Sequence, residues 1–280
     1  MNSIISILKN KLTIFSIVVS MFVVACATNA ITGRRQLSLV PESQLQQMAV
    51  TEYRNFLSQN SVVSGSQSKD AEMVKRVGSR IANAVTKYYQ GQGLAAELEN
   101  YQWEYNLVND KAVNAWCMPG GKIVVYTGLL PVAQNEAALA VVVGHEVAHA
   151  IAKHGSERMS QGLVQQLGGV ALSVALSSKS AETQNLFMQA YGVGSNVGFA
   201  LPHSRKQELE ADRLGLRYTA LAGYNPREAV PLWERMQKLG NGQRPPEFLS
   251  THPAEQTRIN QLNANMADAL TYYKPVGAAR

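Results

Sequence analysis

Apolar residues recur at helical spacing over most of the chain. In residues 42–59, Leu45, Met48, Ala49, Tyr53 and Phe56 share one face, which predicts an amphipathic helix. Met73, Val74, Val77, Ile81 and Val85 do the same over 70–89, and Gly91-Gln92-Gly93 ends that run. The period then changes. Residues 101–108 alternate and are rich in aromatics, 112–117 form a second short strand, and 122–127 are β-branched and apolar, with Pro119-Gly120-Gly121 as the turn between the last two. From 135 to 155 nearly every position is apolar, so this stretch reads as one buried helix. Asn135 caps it, Glu136 suits the positive end of its dipole, and Gly155 closes it. Further helices are predicted over 156–178, a core or lid helix apolar in its second half, and over 182–191. A glycine-rich connection, 192–198, leads to a helix over 203–221 that ends at Gly223. Asn225-Pro226 starts a helix to Leu239, 241–246 is a loop, Thr251-His252-Pro253 a turn, and 254–270 a closing helix. Helices around one small sheet give the class α+β.

The start of the chain has another character. Lys9 and Lys11 precede an apolar run, 12–25, too short to span a bilayer comfortably, so 1–25 reads as an export signal. Residues 26–68 follow as a tether (27–40), the first helix and a polar linker, and 69–280 as the main domain. Val23-Val24-Ala25-Cys26 resembles the lipobox of bacterial lipoproteins. That resemblance implies a lipid on Cys26, membrane attachment through it, and an outer-membrane protein facing the periplasm.

Composition narrows the classes. The 280 residues are 46% hydrophobic and 16% charged, enough for a sizeable core and too apolar for a disordered chain. The formal charge is +6; less Lys9 and Lys11 it is +4, with no basic cluster, which argues against nucleic-acid binding. With Cys26 lipidated, Cys117 is left as a single packed thiol.

Within the apolar helix lies His145-Glu146-Val147-Ala148-His149. Four residues apart, the two histidines stand about 40° from one another around the axis, one turn apart, and can hold one Zn²⁺. Glu146 lies about 100° round from His145, beside the metal, where it can accept a proton from water. His154, nine residues after His145, falls on the opposite face of that helix and cannot join the same metal. A third ligand must come from elsewhere. Glu208 and Asp212, four apart on a helix face, supply two carboxylates, one for the metal and one for a ring N–H of a ligand histidine; Glu210 points the other way. His203 reads as a surface residue.

Together with Ser204-Arg205-x-x-Glu208-x-x-Ala211-Asp212-x-x-Gly215, this pattern resembles gluzincin peptidases of the BepA/LoiP, HtpX and CAAX-prenyl-protease kind. Residues 113–123 resemble the edge-strand segment of that family, and Ser250-Thr251-His252-Pro253 with Thr257-Arg258-Ile259 resembles a motif of its periplasmic members. The resemblance implies a mostly helical metalloprotease domain with one zinc per chain, Glu208 as the third ligand and Asp212 orienting a ligand. It implies Glu146 as general base and substrate peptides pairing at Asn114 and Ala115. His252 is expected at the active site, either as a latch on the open metal position or as a donor to the oxyanion, a role for which Arg205 is the other candidate. The expected activity is peptide-bond hydrolysis in unfolded or misassembled envelope proteins; a chaperone-like or binding protein that keeps a regulated zinc site is the alternative.

Overall fold

In the computed structural model, which describes residues 26–65, 68–167, 181–193, 203–240, 247–253 and 256–275, the elements follow the expected order. They are β1 (Cys26–Thr28), β2 (Arg35–Leu37), α1 (Glu42–Gln59), α2 (Lys69–Gly91), β3 (Glu104–Val108), β4 (Ala115–Met118), β5 (Lys122–Tyr126), α3 (Leu130–Ala133), α4 (Glu136–Ile151), α5 (His154–Leu167), α6 (Ala181–Ala190), α7 (Arg205–Leu221), α8 (Ala229–Gly240), α9 (Glu247–Thr251) and α10 (Gln256–Thr271). The class is α+β, mostly helical. The expected export signal, residues 1–25, lies outside the described residues, as do 168–178 of the expected lid helix, most of the glycine-rich connection and the loop 241–246. Among the described residues no helix is long and apolar enough to cross a membrane.

The sheet has the order β3-β5-β4, with β5 parallel to β3 and antiparallel to β4. Every residue of β4 and β5 is buried, because both faces are covered. Trp116, Val124 and Tyr126 face α1, where Phe56 packs edge-on against Trp116 at 5.0 Å between ring centroids. Cys117, Ile123 and Val125 face α2 and α4 from the other side. Cys117 is a packed, free thiol, as expected. Its pKa is pushed well up by burial, so it is inert. β4 pairs with β5 alone among the described strands, which leaves its outer edge toward the cleft beside α4.

Three stretches differ from the sequence expectation. Residues 27–40 fold back as the β1–β2 hairpin in place of a tether, and Asn29 Nδ2 donates to Ile151 O at the end of α4. Within the linker, Val63 N donates to Leu107 O, so that chain is tied to the sheet edge. The helix expected over 135–155 stops at Ile151. Lys153 takes a left-handed backbone, φ +58°, and the chain restarts as α5 at His154. A residue in that conformation ends a helix whatever its type, although glycine is the usual one. Gly155 accordingly serves as a close approach to the Tyr191 ring.

α4 and α7 cross backbone to backbone. A Cβ placed on Gly144 would lie 2.9 Å from Gly215 O, and one on Gly215 would lie 2.9 Å from the Cα and N of His145. Thr219 Oγ1 spans the same crossing, donating to Ala140 O at 3.3 Å or Gly215 O at 2.8 Å. Only glycine fits there, and the fit sets α7 against the histidine turn of α4. Gly215→Ala should therefore cost about 1–3 kcal/mol of unfolding free energy, the scale of overpacking a close-fitted core. Denaturant unfolding of the variant beside the parent checks this; an unchanged midpoint would show that the crossing has slack.

Candidate metal centre

α4 is apolar on every side and capped by Asn135, whose side chain accepts from Ala138 N at 2.8 Å. Its last turns carry His145, Glu146 and His149, all buried. α7 begins with a capping box in which Ser204 and Gln207 satisfy each other's backbone amides, and Glu208 follows in its first turn. The glycine crossing then lays Glu208 and Asp212 against the two histidines.

Four ligand atoms converge. His145 Nε2 lies 3.0 Å from His149 Nε2 and 3.2 Å from His252 Nδ1. Glu208 Oε1 lies 3.3 Å from His149 Nε2 and 3.0 Å from His252 Nδ1. On the far side of its ring, His145 Nδ1 meets Asp212 Oδ1 at 3.0 Å, the place of a carboxylate that orients a ligand imidazole. Glu146 points to the cleft: its Oε1 is buried without a hydrogen-bond partner, 3.5 Å from His252 Nε2.

The electrostatics fit a cation. Burial works against a charge on His145, but its hydrogen bonds to the Asp212 and Glu208 carboxylates carry its pKa to about 9, so the pocket favours a positive charge at this place. Burial holds His149 well below the usual imidazole range and His252 at about 4, both neutral as metal ligands must be. Burial also opposes charge on Glu208, which Arg258 and His252 nevertheless hold well below the carboxylate range. Glu146 is pushed up by burial to about 8.

The structure moves several residues from their expected places. Arg205 lies exposed in the first turn of α7 and lines a neighbouring pocket with His203, Glu208 and Arg258. The buried cation at the ligands is Arg258 of α10. It reaches Asp212 at 2.6 Å and Glu208 at 2.7 Å and stacks 3.7 Å above the Trp233 ring. Its motif stood out in the sequence, but no role was attached to it. His203 is buried in place of lying on the surface, its ring 3.8 Å from that of His149 between centroids. Because α4 breaks at Lys153, His154 is not on the opposite face either; its Nδ1 lies 2.9 Å from His149 Nδ1. Glu210 points away from the four ligand atoms, as expected. Ala115 lines the cleft, whereas the Asn114 side chain is turned to Glu247 Oε1 at 3.0 Å. His252 follows a short helix, α9, where a turn was expected.

Two imidazoles one helical turn apart, met by a carboxylate from a second helix, make the donor set typical of a catalytic zinc site. The sequence profile described as Peptidase family M48 matches residues 69–266, more than half of the chain, and the chain belongs to that family. It is 41% identical over 187 residues to the mitochondrial metalloendopeptidase OMA1 of Arabidopsis thaliana, covering 66% of this chain and 36% of that protein. With the OMA1 of Saccharomyces cerevisiae the identity is 32%, over 63% of this chain and 51% of the relative. With the beta-barrel assembly-enhancing protease of Escherichia coli it is 28%, over 56% and 33%. The chain thus spans about half the length of these relatives or less. The expected location, a bacterial outer membrane facing the periplasm, is overturned, since the relatives of higher identity are mitochondrial proteins. The lipid anchor expected at Cys26 finds no support in them.

Metal analysis of the purified chain should give one zinc per chain, and His149→Ala should abolish it; unchanged zinc in that variant would refute the ligand set. Asp212→Ala should weaken zinc binding about 10- to 100-fold in a chelator competition, by freeing the His145 ring.

Proposed function

We propose that this chain cleaves internal peptide bonds of unfolded or misassembled proteins at the α4–α7 centre, with Glu146 as general base. The observation that carries this reading is the unpartnered Glu146 Oε1, buried in the cleft beside the ligand histidines. Zinc bound by His145, His149 and Glu208 supplies a Lewis acid that polarises a carbonyl and acidifies water. An extended peptide adds to the open edge of β4 at Ala115, its backbone amides pairing with the strand, which suits substrates that have lost their own structure. Glu146 takes the proton from the attacking water at a carboxylate oxygen and returns it to the leaving nitrogen. Such positioned proton transfer is worth about 10²–10⁴-fold in rate. Asp212 holds His145 in the tautomer that keeps Nε2 free for the metal.

His252 acts as a latch. Its Nδ1 stands among the other three ligand atoms, close enough to take a fourth metal position. That placement also favours the second reading, a binding or chaperone-like protein with a closed metal site. Digestion of casein separates the two. Glu146→Gln should retain zinc and lose hydrolysis; equal digestion by parent and variant, or none by a zinc-loaded parent and its latch variant, would overturn the enzyme reading. His252→Ala should raise hydrolysis if the residue is a latch. A large loss, with zinc and fold kept, would instead make His252 a donor to the oxyanion.

A further inference from the structure

His145 is oriented by a carboxylate, Asp212, while His149 has no carboxylate at its outer nitrogen. Its Nε2 faces the ligand cluster, so that nitrogen must present a lone pair and the ring proton must sit on Nδ1. The atom waiting there is His154 Nδ1, at 2.9 Å. To accept that proton, His154 must carry its own on Nε2, and Nε2 lies 2.8 Å from Glu210 Oε2. The same Glu210 oxygen accepts from Arg34 Nε at 3.0 Å, and Arg34 Nη1 donates to Glu157 Oε1 at 2.9 Å. Each donor thus points outward from the metal: His149 to His154, and His154 to Glu210, where Arg34 closes the chain.

We propose that His154 is the positioning residue of His149, and that Glu210 and Arg34 fix its tautomer, so the β1–β2 hairpin is a working part of the metal centre. Arg34 lies N-terminal to residues 69–266, the stretch matched by the family profile. The break at Lys153 is what makes the arrangement possible. An unbroken helix would carry His154 round to the far side, whereas the left-handed residue turns it back beside His149. His149, His154 and His203 could also be taken for a second metal site, since their ring nitrogens lie close together. The ring geometry argues against it. His203 lies over the face of His149 at 3.8 Å and 33°, whereas the Nδ1 lone pair of His149 would lie in the ring plane. A metal there would also need His149 to give up both ring protons.

The proposal rests on the zinc reading of the centre, and the test separates the two. Asn and Gln both keep position 154 polar, but the Asn side-chain oxygen stands where Nδ1 was and the Gln oxygen where Nε2 was. Zinc affinity of the full chain is read by chelator competition, the ligand field by the visible spectrum of the Co²⁺-loaded protein, and the fold by the melting temperature of the metal-free chain. His154→Asn should hold zinc within about threefold of the parent, with a parent-like Co²⁺ spectrum. His154→Gln should bind about 10- to 100-fold more weakly and shift that spectrum, with the metal-free melting temperature of both unchanged. Arg34→Gln should weaken zinc in the same direction by a smaller factor. Equal affinities for the Asn and Gln variants, or a second zinc in the parent that His154→Asn lacks, would overturn the positioning role. A parent with no zinc would overturn the metal-centre reading itself, and this proposal with it.

Discussion

At the crossing of α4 and α7 there is room for backbone only. Gly144 and Gly215 let the helices touch, and a methyl group on Gly215 would meet the backbone of His145. The centre depends on this contact. A carboxylate side chain is short, so Glu208 reaches His149, and Asp212 reaches His145, only because the axes lie this close. The apolar surface of α4, the capping box at the start of α7 and the sheet packed beneath them hold that crossing in place.

Closeness brings an electrostatic cost, and the closing helix answers it. Glu208 and Asp212 are buried ionised beside a cluster of imidazoles, a situation that folding tolerates only when those charges are paired. Arg258 pairs with both Glu208 and Asp212 and lies over Trp233 of α8, so α8 and α10 complete the site without contributing a ligand. On the other side the N-terminal hairpin plays a comparable part through Arg34, Glu157 and Glu210. The catalytic helix is thus stabilised from both ends of the chain. His252 comes from the segment between α9 and α10, with His252 N donating to Phe248 O at 2.9 Å. His252 is therefore anchored by a short helix that packs its Phe248 against the same core.

The helix periods, the three strands and the histidine pair were legible in the sequence because each rests on local spacing, whereas only the family resemblance singled out Glu208 from Asp212. Glu42–Gln59 was read to its ends, and the five apolar positions assigned to one face are the five buried ones. The misreadings concern single residues whose local signal was ordinary. Lys153 adopts a backbone that glycine usually takes, so nothing in the sequence broke the helix there, and His154 was turned to the wrong face. Residues 27–40 are polar enough to pass for a tether; their order comes from Asn29 and Arg34 finding partners more than a hundred residues away. Arg205 and Arg258 could not be ranked by spacing, because which arginine reaches the ligands depends on how α10 crosses α7. His203 precedes a capped helix at a polar sequence, and only the fold covers it.

We infer that this crossing assembles a nitrogen- and oxygen-donor zinc centre with Cys117 outside it. X-ray absorption at the zinc edge of the purified, metal-loaded chain tests it most directly. The expected shell is two or three imidazoles and a carboxylate, with nitrogen and oxygen neighbours at about 2.0–2.2 Å. A sulfur neighbour at about 2.3 Å, or a shell without imidazole, would contradict it.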